Sequence, residues 1–404
     1  MDFEDSPEDA EFRAEVRAWL ESHAKLRTGV DDWSRDNEHP DYAKRCKEWQ
    51  HTLYEGGWGA ITWPIEYGGR GDTSWHQTIF NQEAARFDVS TGAFAVGIGM
   101  VGPTLIAHGT EEQKKRYLGA LIRGDEVWCQ LFSEPEAGSD LGGLKTRAIR
   151  DGDEFVVNGQ KVWTSGAQYS DWGILLTRTN PDVPKHKGIT YFLVDMTTPG
   201  IEVRPLVQIT GHAHFNEVFL TDVRVPVENI LGEVDKGWGA VHTTLANERT
   251  LIGGGQQQVT VSQLVELARD CGRDQDPIVR QKIAAFHTRQ QLLKYMNYRI
   301  QTATSQGKLP GPEAATTKLF VSLHQGLTGD MVLEILGAAG MLHRGDAPGG
   351  GQWQNVFLGQ WGSRIGGGTD QIQRNALGER VLGLPGEPRV DKDVPFKELA
   401  GSKK

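Results

Sequence analysis

The sequence predicts an α+β fold that is mostly α-helical and divided into three domains. Apolar residues recur at helical spacing over residues 1–128, short β-type runs dominate residues 129–235, and long helical patterns return over residues 236–390. Residues 391–404 are expected to form a polar tail. The chain has 404 residues, more than one compact core usually accommodates, so two or three packed domains are expected.

The N-terminal region contains two marked helix starts. Ser6, Pro7 and Glu8 supply a capping hydroxyl, a first-turn proline and a first-turn acid. The Thr-Glu-Glu-Gln run from Thr110 to Gln113 has the pattern of a capping box, in which both end side chains bond to the backbone of the first turn. We therefore predict helices that begin near Ser6 and near Thr110.

The middle region alternates β-type runs with turn-forming residues. The runs are rich in β-branched and aromatic residues, and they span 155–157, 173–177, 189–194, 201–203 and 218–220. Asn158 and Gly159 have the composition of a two-residue hairpin turn. This pattern predicts a small β-barrel or sandwich.

The C-terminal region carries two long apolar stripes. Asp276 and Pro277 are typical of a helix start, and the helix that follows has one apolar face made of Ile283, Phe286, Leu293, Met296 and Ile300. A later helix has a similar face made of Leu319, Leu323, Leu327, Met331 and Ile335. Stripes of this length suit a helical bundle, and part of this apolar surface is a candidate subunit interface.

Composition argues against several classes of function. The formal net charge is −10, so nucleic acid is not expected as the main partner, because phosphate binding needs a basic patch. The cysteines Cys46, Cys129 and Cys271 show no Cys-x-x-Cys spacing, which indicates reduced thiols. The acidic N-terminus lacks the apolar run of a secretory signal, and the apolar stretch 93–101 is far shorter than the roughly 20 residues that span a bilayer. We expect a cytoplasmic protein without an integral membrane segment.

Two short motifs receive ordinary structural interpretations. Gly97, Gly99 and Gly102 have the spacing of a dinucleotide-binding loop, but no strand–helix unit surrounds them, so a small-residue packing face of a helix is favoured. His212 and His214 lack a third ligand at suitable spacing. They are interpreted as exposed loop histidines, and no metal site is expected.

The segment from Gln130 to Asp140 has the composition of a ligand-binding loop. Its small residues Ser133, Gly138 and Ser139 supply hydroxyl groups and a backbone that a ligand can approach closely. Backbone N–H groups in such a loop can face a flavin edge or a phosphate. The alternative interpretation, an ordinary loop rich in proline and glycine, is weakened by what the segment resembles.

Together with residues 364–374, this segment resembles the flavin-binding signature of the acyl-CoA dehydrogenases. Further landmarks of that family occur in the same order, at 63–69, 109–114 and 215–226 and at Gly337 and Gly340, so the resemblance covers nearly the whole chain. It implies the family's fold, with an N-terminal helical domain, a middle β domain and a C-terminal four-helix bundle. It also implies FAD as the cofactor.

The resemblance assigns residues to the cofactor site. Trp163 would pack on the flavin ring, Ser165 replaces a family threonine near flavin N5, and Ser139 would lie by the pyrophosphate of the flavin or the phosphates of CoA. Glu334 stands where the family often has glutamine, and Arg269 matches an arginine that reaches the flavin of a neighbouring subunit. The implied cofactor residues are Gln130, Phe132, Ser133, Gly138, Ser139, Trp163, Ser165, Arg269, Glu334, Gly337, Thr369 and Gln371.

The position of the catalytic base is unusual, because the best-known family members carry a glutamate where this chain has Gly367. Trp238, Val241, Leu245 and Glu248 are spaced three, four and three residues apart, so Glu248 lies in an apolar helical stripe. Partial desolvation favours the use of a carboxylate as a base. The alternative is a residue at the edge of the stripe, paired with an arginine.

The resemblance favours Glu248 as the base. Isovaleryl-CoA and long-chain acyl-CoA dehydrogenases carry their base at the matching position and lack it at the place of Gly367. Arg249 matches the family's arginine beside the active site and is expected to bind substrate. Gly367 keeps a backbone N–H that can donate to the thioester carbonyl, and its missing side chain leaves room for a bulky or branched acyl group.

The implied activity is FAD-dependent α,β-dehydrogenation of an acyl-CoA thioester to the trans-2-enoyl-CoA, as in fatty acid β-oxidation. Glu248 would take the α-proton, and the β-hydride would go to flavin N5. The expected electron acceptor is an electron-transfer flavoprotein, and the expected assembly is a homotetramer or an α2β2 heterotetramer. Two alternatives stay open: a catalytically silent flavin-binding subunit of a mixed tetramer, and an oxidase or monooxygenase on the same fold.

Overall fold

The computed structural model describes residues 5–27, 37–253, 259–305, 312–343, 345–389 and 391–399. In the described part of the N-terminal region the α-helices are α1 (Pro7–His23), α2 (Tyr42–Glu55), α3 (Ser74–Ala84), α4 (Gly102–His108) and α5 (Glu111–Arg123). Both predicted helix starts are confirmed. The Ser6 hydroxyl accepts a hydrogen bond from the Asp9 N–H, and Thr110 and Gln113 form the capping box.

The middle region folds into one curled seven-stranded sheet. Its strands are β1 (Trp128–Leu131), β2 (Arg147–Asp151), β3 (Glu154–Ser165), β4 (Trp172–Arg178), β5 (Ile189–Asp195), β6 (Ile201–Leu206) and β7 (Phe215–Pro226). The strand order is β1-β4-β2-β3-β7-β6, with β5 also paired to β4. Strand β1 runs parallel to β4, whereas β3 and β7 pair in the antiparallel sense. All five predicted β-type runs lie in strands.

The predicted hairpin turn at Asn158 and Gly159 is wrong, because both residues lie inside β3. The turn is formed instead at Gly152 and Asp153, between β2 and β3. Asn158 sits at an irregularity of the β3–β7 pairing, where its side chain exchanges two hydrogen bonds of 3.0 Å with Asp222 on β7. A Cβ atom at Gly159 would lie 2.3 Å from the Thr146 hydroxyl, so this glycine allows a close approach and does not make a turn.

The C-terminal region is helical, as expected. Its described helices are α6 (Trp238–Gly253), α7 (Val261–Asp270), α8 (Pro277–Ser305), α9 (Pro312–Leu336), α10 (Gln352–Ile365) and α11 (Asp370–Ala376). The Asp276 carboxylate accepts from the Ile278 N–H, which confirms the predicted start of α8. A core formed by Phe286, Met331 and Ile335, among others, joins α7, α8, α9 and α10.

The middle of α9 departs from its predicted stripe. Leu327 is half-exposed, whereas the polar side chains Ser322, His324 and Thr328 are buried. Ser322 donates to the Asp370 carboxylate at the start of α11, at 2.5 Å. The other two buried groups have different partners, since His324 accepts from Arg289 on α8 and the Thr328 hydroxyl donates to the His324 carbonyl.

The chain divides into two compact units. The first contains the N-terminal helices, the sheet, α6 as far as Glu248, and residues 391–399, which we call the C-terminal segment. The second contains the helices that follow Glu248. Within the described ranges, no helix is long and apolar enough to cross a membrane.

The C-terminal segment is docked on the sheet domain. The backbone N–H of Phe396 donates to the Val183 carbonyl at 2.9 Å, and that of Lys397 donates to the Pro181 carbonyl at 3.0 Å. The Phe396 ring is buried beneath the Arg178 guanidinium, 3.9 Å from the ring centroid. These residues, expected to be a polar tail, therefore contribute an apolar anchor to the sheet domain.

Candidate active site

Glu248 occupies the predicted stripe of α6. The helix starts against β5, because the Gly237 N–H donates to the Ile189 carbonyl at 2.9 Å. Val241 is fully buried and Leu245 is partly buried on the same side of the helix. Glu248 itself is half-buried, and its Oε2 accepts a hydrogen bond from Gln130 Nε2 at 3.3 Å. The structure thus brings two predicted site residues from different elements into contact.

One turn before Glu248, α6 is anchored by buried hydroxyl groups. Thr244 Oγ1 lies 3.0 Å from the Thr104 hydroxyl on α4 and 3.0 Å from the Tyr191 hydroxyl on β5. All three side chains have no measurable exposure. Burial raises the pKa of Tyr191, so its hydroxyl stays neutral and available for hydrogen bonding. The sequence analysis missed these residues, although a threonine one turn before Glu248 on an apolar stripe was a usable signal.

The predicted flavin loop is held by a buried ion pair. Lys161 Nζ lies 2.7 Å from Glu134 Oε1 and also donates to the Phe132 carbonyl at 3.1 Å. Glu134 in turn accepts from the backbone N–H groups of Lys145 and Thr146.

Burial favours the neutral form of both partners in this pair. It works to raise the pKa of Glu134, but the Lys161 ammonium and the hydrogen bonds outweigh it and hold that pKa below its ordinary value. Burial also lowers the pKa of Lys161, against the attraction of Glu134. The sequence analysis gave no role to either residue.

Trp163 lies in an irregular part of β3. Its φ angle is 62°, in the left-handed region that a bulky residue rarely adopts, and the regular β3–β7 pairing is interrupted between Lys161 and Thr164. The indole ring is 56% exposed and packs edge-on against Phe215. An aromatic residue held exposed on a strained backbone points to a binding function.

Two other predicted flavin residues, Ser133 and Ser165, lie beside or on the same strand. The Val162 N–H donates to the Ser133 carbonyl at 2.9 Å, which brings the loop beside β3. Ser165 is exposed at the end of β3, and Gly138 has no atom within 4 Å of where a Cβ would be. An exposed indole with hydroxyl groups beside it and open space at Gly138 fits a planar ring system that carries polar edges.

Charged side chains hold the loop that follows Gly138. Ser139 is exposed, and the carboxylate of the next residue, Asp140, accepts from Lys185 Nζ at 2.8 Å. Lys185 also pairs with Asp391 of the C-terminal segment at 2.8 Å. The buried Arg178 guanidinium donates to the backbone carbonyl groups of Lys185 and Gly142. Burial lowers the pKa of Arg178 to about 10.

The second unit carries the remaining predicted residues. Thr369 caps α11 by accepting from the Ile372 N–H at 3.1 Å, and Gln371 is exposed in the first turn. Gly367 lies in the preceding turn with φ 64°, and its carbonyl accepts from Gln373 Nε2. Three predicted residues therefore share one loop and one helix start.

The bundle residues lie apart from that loop along the chain. Arg269 is exposed near the end of α7, and Gly337 follows α9 with φ 57°. Glu334 is exposed on α9 and forms an ion pair with Lys282 on α8. Arg249 belongs to α6, but its side chain lies outside the described residues.

Comparison with known proteins decides the family. Acyl-CoA dehydrogenase family models match in chain order: the N-terminal domain over residues 6–125, the middle domain over 129–223 and the C-terminal domain over 235–382. Acyl-CoA dehydrogenase IpdE1 of Mycobacterium tuberculosis (strain ATCC 25618 / H37Rv) is 38% identical over 390 residues, which cover 94% of this chain and 98% of that protein.

The chain belongs to the acyl-CoA dehydrogenase family.

Acyl-CoA dehydrogenase FadE34 of the same organism is 39% identical over 386 residues, covering 92% of this chain and 52% of its own length. The solved structure titled "Tcur3481-Tcur3483 steroid ACAD" has a TM-score of 0.82 and 33% identity, and it covers 96% of this chain and all of that one. The ChsE4-ChsE5 complex from Mycobacterium tuberculosis has a TM-score of 0.76 and 32% identity over 96% of this chain. Acyl-CoA dehydrogenases are FAD-binding flavoproteins, so FAD is the cofactor and the chain is a flavin-dependent oxidoreductase of lipid degradation.

Proposed function

We propose that this enzyme oxidises an acyl-CoA thioester to the trans-2-enoyl-CoA, with Glu248 as the base that takes the α-proton. The observation that carries the proposal is the placement of Glu248, half-buried on the apolar side of α6 with its carboxylate bound to Gln130. A carboxylate in this setting is shielded from bulk water and can accept a proton from carbon.

Each remaining part of the reaction has a candidate residue in this chain. FAD, when bound, supplies the two-electron acceptor for the β-hydrogen. Trp163, Ser133 and Ser165 would hold the ring system. The Gly367 N–H would donate to the thioester carbonyl, where negative charge develops as the α-proton leaves. Arg249 and Ser139 would bind other parts of the CoA thioester.

The substrate we infer has a bulky acyl group. Gly367 contributes no side chain, and one of the most similar solved structures is titled a steroid ACAD. A CoA thioester whose acyl chain is attached to a polycyclic ring system fits both observations. We propose an electron-transfer flavoprotein as the acceptor of the electrons.

A second candidate function is a silent flavin-binding subunit. Two of the similar solved structures are titled with a pair of chains, Tcur3481-Tcur3483 and ChsE4-ChsE5. Such titles support an α2β2 assembly beside the homotetramer, and in a mixed assembly the reaction can belong to the partner. Glu248 argues against a silent subunit, since a half-buried carboxylate lies where the base is proposed.

The test is anaerobic reduction of the flavin by acyl-CoA, followed by absorbance. The purified enzyme is mixed with straight-chain, branched and steroid-linked acyl-CoA thioesters. Wild-type flavin should bleach with at least one of them, and Glu248→Gln should not bleach. Glu266→Gln, at an exposed glutamate on α7, is the control and should bleach as the wild type does.

Two outcomes would contradict the proposed base or activity, and a third would contradict the proposed electron acceptor. Undiminished bleaching in Glu248→Gln would show that the base lies elsewhere. If the wild type bleaches only together with a co-expressed partner chain, and Glu248→Gln bleaches equally well in that complex, the silent-subunit function is favoured. Rapid reoxidation by air of flavin that substrate has reduced would indicate an oxidase.

A further inference from the structure

We propose that Gln130 is a positioning residue for the base: its side-chain amide orients the Glu248 carboxylate and stabilises its charged form. This inference rests on the proposed function of Glu248. The contact is the hydrogen bond from Gln130 Nε2 to Glu248 Oε2, at 3.3 Å. It goes beyond the expectation that Gln130 lines the flavin.

Gln130 is a polar side chain on a mainly apolar face of the sheet. Side chains alternate along a strand, so Gln130 shares its face of β1 with Trp128 and extends away from Cys129 and Leu131. Trp128 and the following Phe132 are both buried, in the same core cluster as Val241 of α6. A polar amide on such a face requires a hydrogen-bond partner, and the Glu248 carboxylate is one.

The backbone on both sides of the contact is fixed. Strand β1 is paired with β4, with Gln130 opposite Ile174. Helix α6 is held one turn earlier by the buried hydroxyl contacts of Thr244 with Thr104 and Tyr191. The position of the carboxylate then depends on the conformation of the glutamate side chain, whose three torsions give it many rotamers. A hydrogen bond from a rigid strand selects among those rotamers.

The amide also acts electrostatically. An N–H donor near a carboxylate favours the charged form over the neutral acid, and a base must be charged before it can accept a proton. The acidic limb of a kcat/KM profile reports this ionisation in the free enzyme. Removing the donor should therefore move the acidic limb to higher pH.

The experiment compares Gln130→Leu with wild-type holoenzyme, using the acyl-CoA that bleaches the flavin best. Rates are measured against pH and divided by bound flavin, which is read from absorbance. We expect kcat per flavin to fall about tenfold, with little change in KM and with the acidic limb shifted to higher pH. Gln130→Glu places a second carboxylate beside the first, and the shift should be larger because like charges disfavour ionisation. This second variant also keeps the test valid if Gln130→Leu folds poorly.

The control is an equivalent bond elsewhere in the same sheet. Gln160 Nε2 on β3 donates to Glu217 Oε1 on β7 at 2.9 Å, with both side chains half-buried. Gln160→Leu removes that amide–carboxylate bond and should leave the pH profile unchanged. A general effect of losing such a bond would appear in both variants.

Failure of this inference is distinguishable from failure of the proposed function. If Glu248→Gln is inactive while Gln130→Leu keeps the wild-type pH profile and kcat per flavin, Gln130 does not position the base. The same conclusion follows if Gln130→Leu loses activity only in proportion to lost FAD. If Glu248→Gln is fully active, the base is misassigned and both proposals fall.

Discussion

Lys161 and Glu134 form a buried ion pair with 2.7 Å between Nζ and Oε1. Lys161 has no exposed surface, and Glu134 is nearly as well buried. Each side chain also binds backbone groups, so the pair ties the loop that contains Ser133 to strand β3. The part of the enzyme expected to face the flavin is therefore stabilised by a contact beneath it.

Replacing Lys161 with methionine should lower the free energy of unfolding by about 3–5 kcal/mol, because it leaves the Glu134 carboxylate buried without its partner. Urea denaturation of the purified enzyme measures the change. Lys236→Met, which removes an exposed ion pair with Glu233, is the control and should have little effect. Similar losses of unfolding free energy in the two variants would show that the buried ion pair stabilises the enzyme no more than the exposed one.

Trp163 should contribute to FAD binding, although its strained backbone conformation lowers the stability of the apoprotein. Trp163→Gly removes the indole and relieves a φ of 62°, so it should lose FAD on dialysis while the apoprotein stays within about 1 kcal/mol of wild-type stability. Trp163→Phe keeps an aromatic surface and should retain more FAD than the glycine variant. Flavin absorbance after dialysis and urea unfolding of the apoprotein give the two readouts. Equal FAD retention in all three proteins would exclude the indole from the site.

Gly367 should tolerate no side chain without strain. Its φ of 64° costs a residue with a Cβ about 1–2 kcal/mol, so Gly367→Ala should lower the free energy of unfolding by that amount. Gly359→Ala is the matched control, because Gly359 lies within α10 and has nothing within 4 Å of a new Cβ. It should stabilise the protein by about 0.5–1 kcal/mol. Thermal or urea unfolding shows whether the free energy of unfolding falls in Gly367→Ala and rises in Gly359→Ala.

His324 should make stability depend on pH. Burial lowers its pKa to about 4, with the Arg289 guanidinium acting in the same direction. The unfolded chain takes up this proton near pH 6.5 and the native state does not, so stability present above pH 6.5 is lost as the pH falls towards 4. His324→Gln should reduce the dependence of the free energy of unfolding on pH between about pH 6.5 and 4, as measured by urea denaturation at a series of pH values. His287→Gln, at an exposed histidine on α8, should leave it unchanged, and identical curves for all three proteins would contradict the prediction.

The helices and most strands were predictable because their signals are local. Ser6, Thr110 and Asp276 cap helices through contacts within the first turn, and such contacts are visible in a few consecutive residues. The place of Glu248 on the apolar side of α6 was predicted from the spacing of its neighbours, and the burial of Val241 and Leu245 confirms that place. Its role as the base stays a proposal.

The rest depends on contacts between distant residues. Asn158 and Gly159 have turn composition, but Asp222 and Thr146 stabilise them inside a strand. Glu248, the hydrogen-bond partner of Gln130, lies on a helix more than a hundred residues later, so no pattern in neighbouring residues predicts the contact.

The docked position of Phe396 has a consequence for biosynthesis. Arg178 and the loop at Lys185 leave the ribosome long before the residues that cover them. The nascent sheet domain therefore exposes a cationic, partly apolar surface until synthesis reaches the C-terminal segment. A chaperone that recognises such a surface would distinguish chains in which the C-terminal segment has docked from chains in which it has not.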